Sequence, residues 1–253
     1  MGVDGRIKNL TMADSNINAT GNYCGAFVGD SKGNIENCHT QADVIVSGTG
    51  YVGGIVGELD HNMSLVQCSN AGSVIGSKDY VGGIAGRVLS NSTTAVSKSY
   101  NTGKVQGNKF TGGITGSLYD GGTIDSVYNT GEVIAYQTAG GLLGEFRYGS
   151  MKSAYAIGTI SGATKGAIAG ILSSSNGAKT LTNVFYQAGI ADAVVGDKNS
   201  CTIQNGTAES KTEEELRSLA AELGEAFAKD DQNLNRGYPV LAWQTGKTTE
   251  DDK

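Results

Sequence analysis

Two histidines, four cysteines and a thin scatter of carboxylates are the groups that could do chemistry in this chain of 253 residues. A metal site draws on His, Cys and carboxylates at short fixed spacings, such as HExxH. Neither His39 nor His61 has such neighbours in sequence, so no metal and no cofactor is expected. Asp60 beside His61 has the form of a general base and its orienting partner, yet no nucleophile is tied to them. Cys24, Cys38, Cys68 and Cys201 form no CxxC pair and read as small buried hydrophobes. Attack on a sugar chain would need several carboxylates, or carboxylates with Arg or Lys, gathered on one face. Whether any face gathers them depends on how the chain stacks.

A repeat sets that stacking. Cys24-Gly-Ala-Phe-Val-Gly29 returns as Val52-Gly-Gly-Ile-Val-Gly57, Val81-Gly-Gly-Ile-Ala-Gly86 and Thr111-Gly-Gly-Ile-Thr-Gly116. It returns again as Ala139-Gly-Gly-Leu-Leu-Gly144 and Lys165-Gly-Ala-Ile-Ala-Gly170. The closing glycines lie 28, 29, 30, 28 and 26 residues apart. A period in this range marks units that bury their apolar faces against one another. The unit from Tyr80 to Lys109 reads as three short strands, Tyr80 to Gly86, Ala95 to Tyr100 and Lys104 to Gln106, separated by Gly and Asn turns. That matches one coil of a β-solenoid, and no helical period fits it. About six coils are expected.

Stacking places like residues in columns. Phe27, Ile55, Ile84, Ile114, Leu142 and Ile168 form one aliphatic column, and Val74, Val105, Val133 and Ile160 form another. Each fully buried member contributes roughly 1.5–3 kcal/mol. The phrase glycines mark coil corners, where a β-branched residue at Gly86 should strain the backbone by on the order of 1–3 kcal/mol. Cys38 and Cys68 fall at equivalent places in adjacent coils, so an oxidising setting would permit a bridge.

The whole-chain figures agree with an extended all-β rod. Glycine is high at 39 residues and proline occurs once, which suits many tight turns and excludes collagen. The net charge of -6 has no basic block, against nucleic-acid binding. No stretch is apolar enough for membrane insertion. Residues 5–190 are read as the repeat domain, 191–244 as a small α/β cap or junction, and 245–253 as a linker. Thr212 and Glu215 have capping-box form, and Leu216, Leu219, Ala220 and Leu223 give a short helix over 213–223. Gly237 to Trp243 reads as a closing strand. Met1 to Gly5 is no signal peptide and reads like a start placed before a cut-out segment, so a monomeric fragment of a larger multidomain protein is expected. Asn-X-Ser/Thr triplets such as Asn9 to Thr11 and Asn91 to Thr93 read as accidents of an Asn- and Thr-rich chain.

The Val-Gly-Gly-Ile-Val-Gly phrases, with Ser99-Tyr-Asn-Thr-Gly103 and Val127-Tyr-Asn-Thr-Gly131, resemble the GLUG-type repeat family over roughly residues 5 to 190. The ending Asn235 to Gln244 is similar to the segment that closes such arrays. The resemblance implies a right-handed parallel β-helix in large secreted or wall-attached bacterial proteins. These include adhesin-like proteins and non-catalytic regions of immunoglobulin-A-cleaving metallopeptidases. Ala26 and Ala167 replace phrase glycines, and Tyr-Asn-Thr-Gly becomes Tyr155-Ala-Ile-Gly158, so those coils should be less regular. The family brings no catalytic motif.

The turns after the phrases hold the candidate site. Asp30, Glu58, Arg87, Ser117 and Glu145 share one column there, and Asp60, Leu89, Tyr119 and Arg147 share another. Their charges are sparse and of mixed sign, which disfavours an enzyme. Two aromatic columns, Tyr23, Tyr51, Tyr80 and Phe110, and Tyr100, Tyr128 and Tyr155 with Phe185, read first as stacked ladders and second as a platform for a sugar or protein. Tyr119, Asp120, Arg147, Tyr148, Asp60 and His61 are the expected ligand-binding residues. The reading is a non-catalytic binding or adhesion module, presenting this face to a host protein such as an immunoglobulin or to a mucin-type glycan. A passive stalk or accessory region of a peptidase is the alternative, and a polysaccharide-active enzyme the third.

Overall fold

The computed structural model describes residues 5–90, 94–173 and 177–246. The first four residues, the Asn91 triplet and the tail from 247 lie outside them. The chain winds as a parallel β-solenoid of about seven turns rather than six. Each complete coil contributes to four sheets rather than three. The phrase is not one strand. It bends after its second position, so that Val81–Gly82 and Ala85–Val88 join different sheets. The long sheet carries nine strands, among them Asn34–Thr40, Thr94–Asn101 and Thr123–Asn129. The second sheet carries Ile45–Gly48 and its equivalents, the third the phrase starts, and the fourth the phrase ends. Register follows the repeat: Cys24, Val52, Val81, Thr111, Ala139 and Lys165 pair in succession.

Both aliphatic columns are buried, but in separate compartments. Ile55, Ile84, Ile114, Leu142 and Ile168 belong to the core between the long and fourth sheets. Val74 and Val105 pack with Val46, Val52 and Val81, and Val133 and Ile160 pack with Ala139. Between the compartments runs a row of buried asparagines. Asn70 Nδ2 donates to Asn101 Oδ1 at 2.7 Å, and Asn101 Nδ2 donates to Asn129 Oδ1 at 2.8 Å. The Nδ2 groups of Asn70, Asn101 and Asn129 also donate to the carbonyls of Gly72, Gly103 and Gly131 in turn. Thr40 starts the row and Ala156 ends it.

These side chains explain the second phrase glycine. A Cβ on Gly83 would overlap Asn101 and the Gly113 carbonyl of the next coil, and one on Gly113 would overlap Asn129. The two alanine replacements, Ala26 and Ala167, fall in coils whose place in the row is taken by Thr40 and Tyr186. At Gly86 the constraint is also close approach, to the backbone of Tyr51, Val52 and Gly57, and not the strained backbone expected from sequence.

A second column was hidden from sequence patterning. Asn9, Asn37, Gln67, Lys98, Ser126, Ser153 and Asn183 all have positive φ, from 46° to 61°. Each shifts the in-out alternation by one residue, in mid-strand except at Gln67, which lies in the bend between Leu65–Val66 and Ser69–Asn70. Ile124 and Val127, three residues apart, therefore both face the core, and Tyr128 faces outward.

The C-terminal segment does not cap the rod's end. Parallel pairing continues past residue 190 through Val195–Asp197 and Ala208–Lys211, which moves the boundary of the repeat domain. The end stays open around a cavity of about 410 Å³ lined by Leu172, Val194, Val195 and Ile203. The chain then turns back along the outer face of the long sheet. The capping box at Thr212 forms as expected, but the helix breaks into Glu213–Arg217 and Ala220–Leu223. The closing strand shortens to Val240–Leu241, antiparallel to Phe227–Ala228. Leu216, Leu219, Leu223, Phe227 and Leu241 bury against Tyr128, Tyr155 and Phe185.

Replacing Asn101 by Ala removes the middle of the asparagine row and leaves its buried neighbours short of partners. The expected cost is about 1–3 kcal/mol, read as a lower urea midpoint at unchanged slope. An unchanged midpoint would show that the row carries no stability.

Candidate functional site

The two aromatic ladders have different fates. Tyr100 stacks on Tyr128 at 4.8 Å and Tyr128 on Tyr155 at 5.1 Å, both nearly parallel. Tyr128 Oη donates to Gln244, Asn235 Nδ2 donates to Tyr155 Oη, and Tyr155 Oη donates to the Pro239 carbonyl. The indole of Trp243 donates to the Lys98 carbonyl and lies against Tyr100 and His39. Tyr128 and Tyr155 are thus buried under the C-terminal segment, and the idea of a sugar platform fails for this ladder.

The other ladder is open. Tyr23, Tyr51 and Tyr80 stack at centroid distances of 4.9 and 5.1 Å, and Phe110 lies tilted against Tyr80 at 5.2 Å. Each ring precedes a phrase, so the repeat itself sets the spacing. Tyr51 and Tyr80 each have a ring on both sides, so their faces are taken and both side chains are half-buried. Burial and then Glu145 push the Tyr80 phenol up to about 12. Glu58 and then burial raise that of Tyr23. Both phenols stay protonated donors at neutral pH.

Arg87 joins this ladder to the turns. Its guanidinium lies 4.3 Å from the Tyr51 ring centre and 5.4 Å from that of Tyr119. Arg147 lies over Tyr119 from the next coil at 3.9 Å. Tyr119 therefore sits within reach of two guanidiniums, an arrangement favoured by the ring quadrupole. Arg87 is ion-paired with Glu58, one coil below. Burial raises the Glu58 carboxyl above its usual range, against the pull of Arg87. Glu145 accepts from Ser117 at 2.6 Å and from Ser173 at 2.5 Å.

The remaining expected residues form a second group. Asp60 Oδ1 contacts His61 Nδ1 at 2.8 Å, and Asp120 Oδ2 lies 3.4 Å from His61 Nε2. The hydrogen bond that His61 donates to Asp60, then that to Asp120, raises the imidazole above its ordinary value. Tyr148 leans on Gly121 and Gly177, whose φ values of 89° and 103° suit glycine and whose missing Cβ leaves room for the ring. All six expected residues lie in turns that follow the fourth sheet. Tyr119 and Arg147 are brought together as a pair, and Asp60, His61 and Asp120 as a triad. Sequence reading underrated Arg87 and Glu58, although opposite charges one period apart were the available signal.

One carboxylate pair of this column is too far apart for sugar hydrolysis. Glu58 and Glu145 share a column but are three coils apart, about 14 Å at the strand spacing. Catalytic pairs lie at about 5–9.5 Å. Among the described residues no group of His, Cys, Asp and Glu could hold a metal ion, and no helix is long and apolar enough to cross a membrane.

The geometry defines a parallel β-solenoid with one flank sealed by its own C-terminal segment and another bearing aromatic and charged groups. No family model matches the chain, and no curated protein matches it. Among solved structures, it is similar to a "putative immunoglobulin A1 protease" from Bacteroides ovatus, with a TM-score of 0.68 at 22% identity. The match covers 92% of this chain and 75% of that one. At this identity the likeness is one of fold.

Arg87→Ala would leave Glu58 buried without its cation, raising its folded pKa further above the unfolded value of 4.5. A raised folded pKa gives stability that is present below the unfolded value and lost as pH rises. The variant's deficit should therefore be small near pH 4.5 and grow to about 2–3 kcal/mol at neutral pH, measured by urea unfolding. An equal deficit at both pH values would assign the loss to packing instead.

Proposed function

We propose that this chain is a non-catalytic binding module of a secreted or surface-attached bacterial protein, in the manner of the repeat family it resembles. The observation that carries the reading is the continuous open flank from Tyr23 through Arg87 and Tyr119 to Arg147. Rigid tyrosines and arginines held in place by their neighbours lose little entropy on binding, and such residues dominate protein interfaces. The rings cover one another's faces, which favours a host protein over a glycan that would need open faces. The fold likeness to the protein named for immunoglobulin A1 cleavage makes immunoglobulin A1 the first ligand to test, and supports a second reading as the accessory region of a peptidase.

The test is biolayer interferometry of the purified chain against immunoglobulin A1, beside an array of mucin-type glycans. Saturable binding to immunoglobulin A1 is expected. The double variant Tyr119→Ala/Arg147→Ala should lose at least about tenfold in affinity, equivalent to about 1.4 kcal/mol, with its melting temperature preserved. No binding to either ligand class, or binding indifferent to the double variant, would favour a passive stalk.

A further inference from the structure

Cys38 and Cys68 take no part in the flank described above. They occupy the same inward column of the long sheet, between Leu10 on one side and Ser99 on the other. His39 pairs with Ser69 and Thr40 with Asn70, which sets Cys38 directly against Cys68 on adjacent parallel strands. Neighbouring strands lie about 4.8 Å apart, inside the window of about 4.4–6.8 Å that a disulfide requires between Cα atoms. Both side chains are fully buried and both thiols are free.

We propose that Cys38 and Cys68 are an oxidisable dithiol, converted to a disulfide by exchange with a small-molecule or protein disulfide and so stapling two neighbouring coils. The two thiols are unlike, as a nucleophile and its resolving partner are. A hydrogen bond from Cys68 lowers the Cys38 thiol to about 7, whereas burial raises that of Cys68. The Cys38 thiolate attacks one sulfur of the external disulfide and expels the first thiolate, leaving a mixed disulfide. Cys68 loses its proton, attacks the Cys38 sulfur and expels the second. Two electrons pass to the external disulfide, which leaves as two thiols carrying the two protons. Full burial makes the folded dithiol slow to react, so exchange belongs to folding or to opening of the first coil. Among the described residues Arg6–Met12 of that coil is the terminal strand of the long sheet, and it is mostly exposed. Cys24 lies in the other compartment, and Cys201 lies near Lys179 toward the far end.

The experiment refolds the full chain from denaturant in a mixture of oxidised and reduced glutathione, alkylates remaining thiols, and maps peptides by mass. The expected result is one cross-linked peptide pair, Cys38 with Cys68, lighter by two hydrogens, with Cys24 and Cys201 alkylated. The oxidised chain should melt roughly 5–10 °C above the same chain refolded in dithiothreitol. Cys68→Ser, which copies the Ser99 of the next coil, should fold and lose that difference. Alkylation of both Cys38 and Cys68 under conditions that oxidise a control dithiol, or a cross-link joining any other pair, would overturn the proposal.

Discussion

Successive coils approach so closely at the phrase glycines that a Cβ would meet the backbone of the neighbouring coil. That is the constraint on which the molecule rests. At Gly53, Gly82 and Gly112 the overlap is with a carbonyl of the same coil and backbone atoms of the adjoining one, and at Gly57, Gly86 and Gly116 with the backbone of the coil before. Close approach lets the peptide ladder run uninterrupted, as in the bonds from Ile55 N to Ile84 O, Ile84 N to Ile114 O and Ile114 N to Leu142 O. Once backbones are locked in this register, every side-chain column is a consequence. The aliphatic spines, the asparagine row and both ring ladders share one cause.

The same register divides the surface into flanks with different chemistry. The left-handed residue in each long strand turns Tyr100, Tyr128 and Tyr155 outward, where they would form a large apolar stripe. The C-terminal segment covers that stripe with leucines and Phe227 and satisfies the phenols through Gln244, Asn235 and Pro239. Among the described residues no segment covers the ladder of Tyr23, Tyr51 and Tyr80 in this way. There the rings are held by one another and by Arg87, whose charge is balanced by Glu58. An uncovered, internally supported flank beside a covered one is the asymmetry that points toward binding.

The parallel stack was legible because one phrase recurs with glycine at fixed places, and a period of backbone contact is a period in sequence. Tyr119 over Arg147 could be read for the same reason, since they differ by one coil. His61 with Asp120 spans two coils and left no such signal. The left-handed column was illegible because Asn, Gln, Lys and Ser all fill it, and no residue type announces the shift in alternation. The asparagines could be read as turn formers, but their contacts with one another exist only once the coils stack. The lateral path of the C-terminal segment was the largest miss. Its leucines announced an apolar partner, whereas the contact of Trp243 with Lys98 joins residues 145 apart in sequence with no shared pattern.

In-register stacking is tested most directly by pulsed electron spin resonance along one outer column. Nitroxides placed at Thr159 and, in turn, at Ser73, Ile45 and Asn16 would sit three, four and five coils apart on the second sheet. The account requires the measured distance to lengthen by about 4.8 Å at each step. Distances that fail to lengthen evenly, or that shorten, would mean that the coils do not lie one upon another.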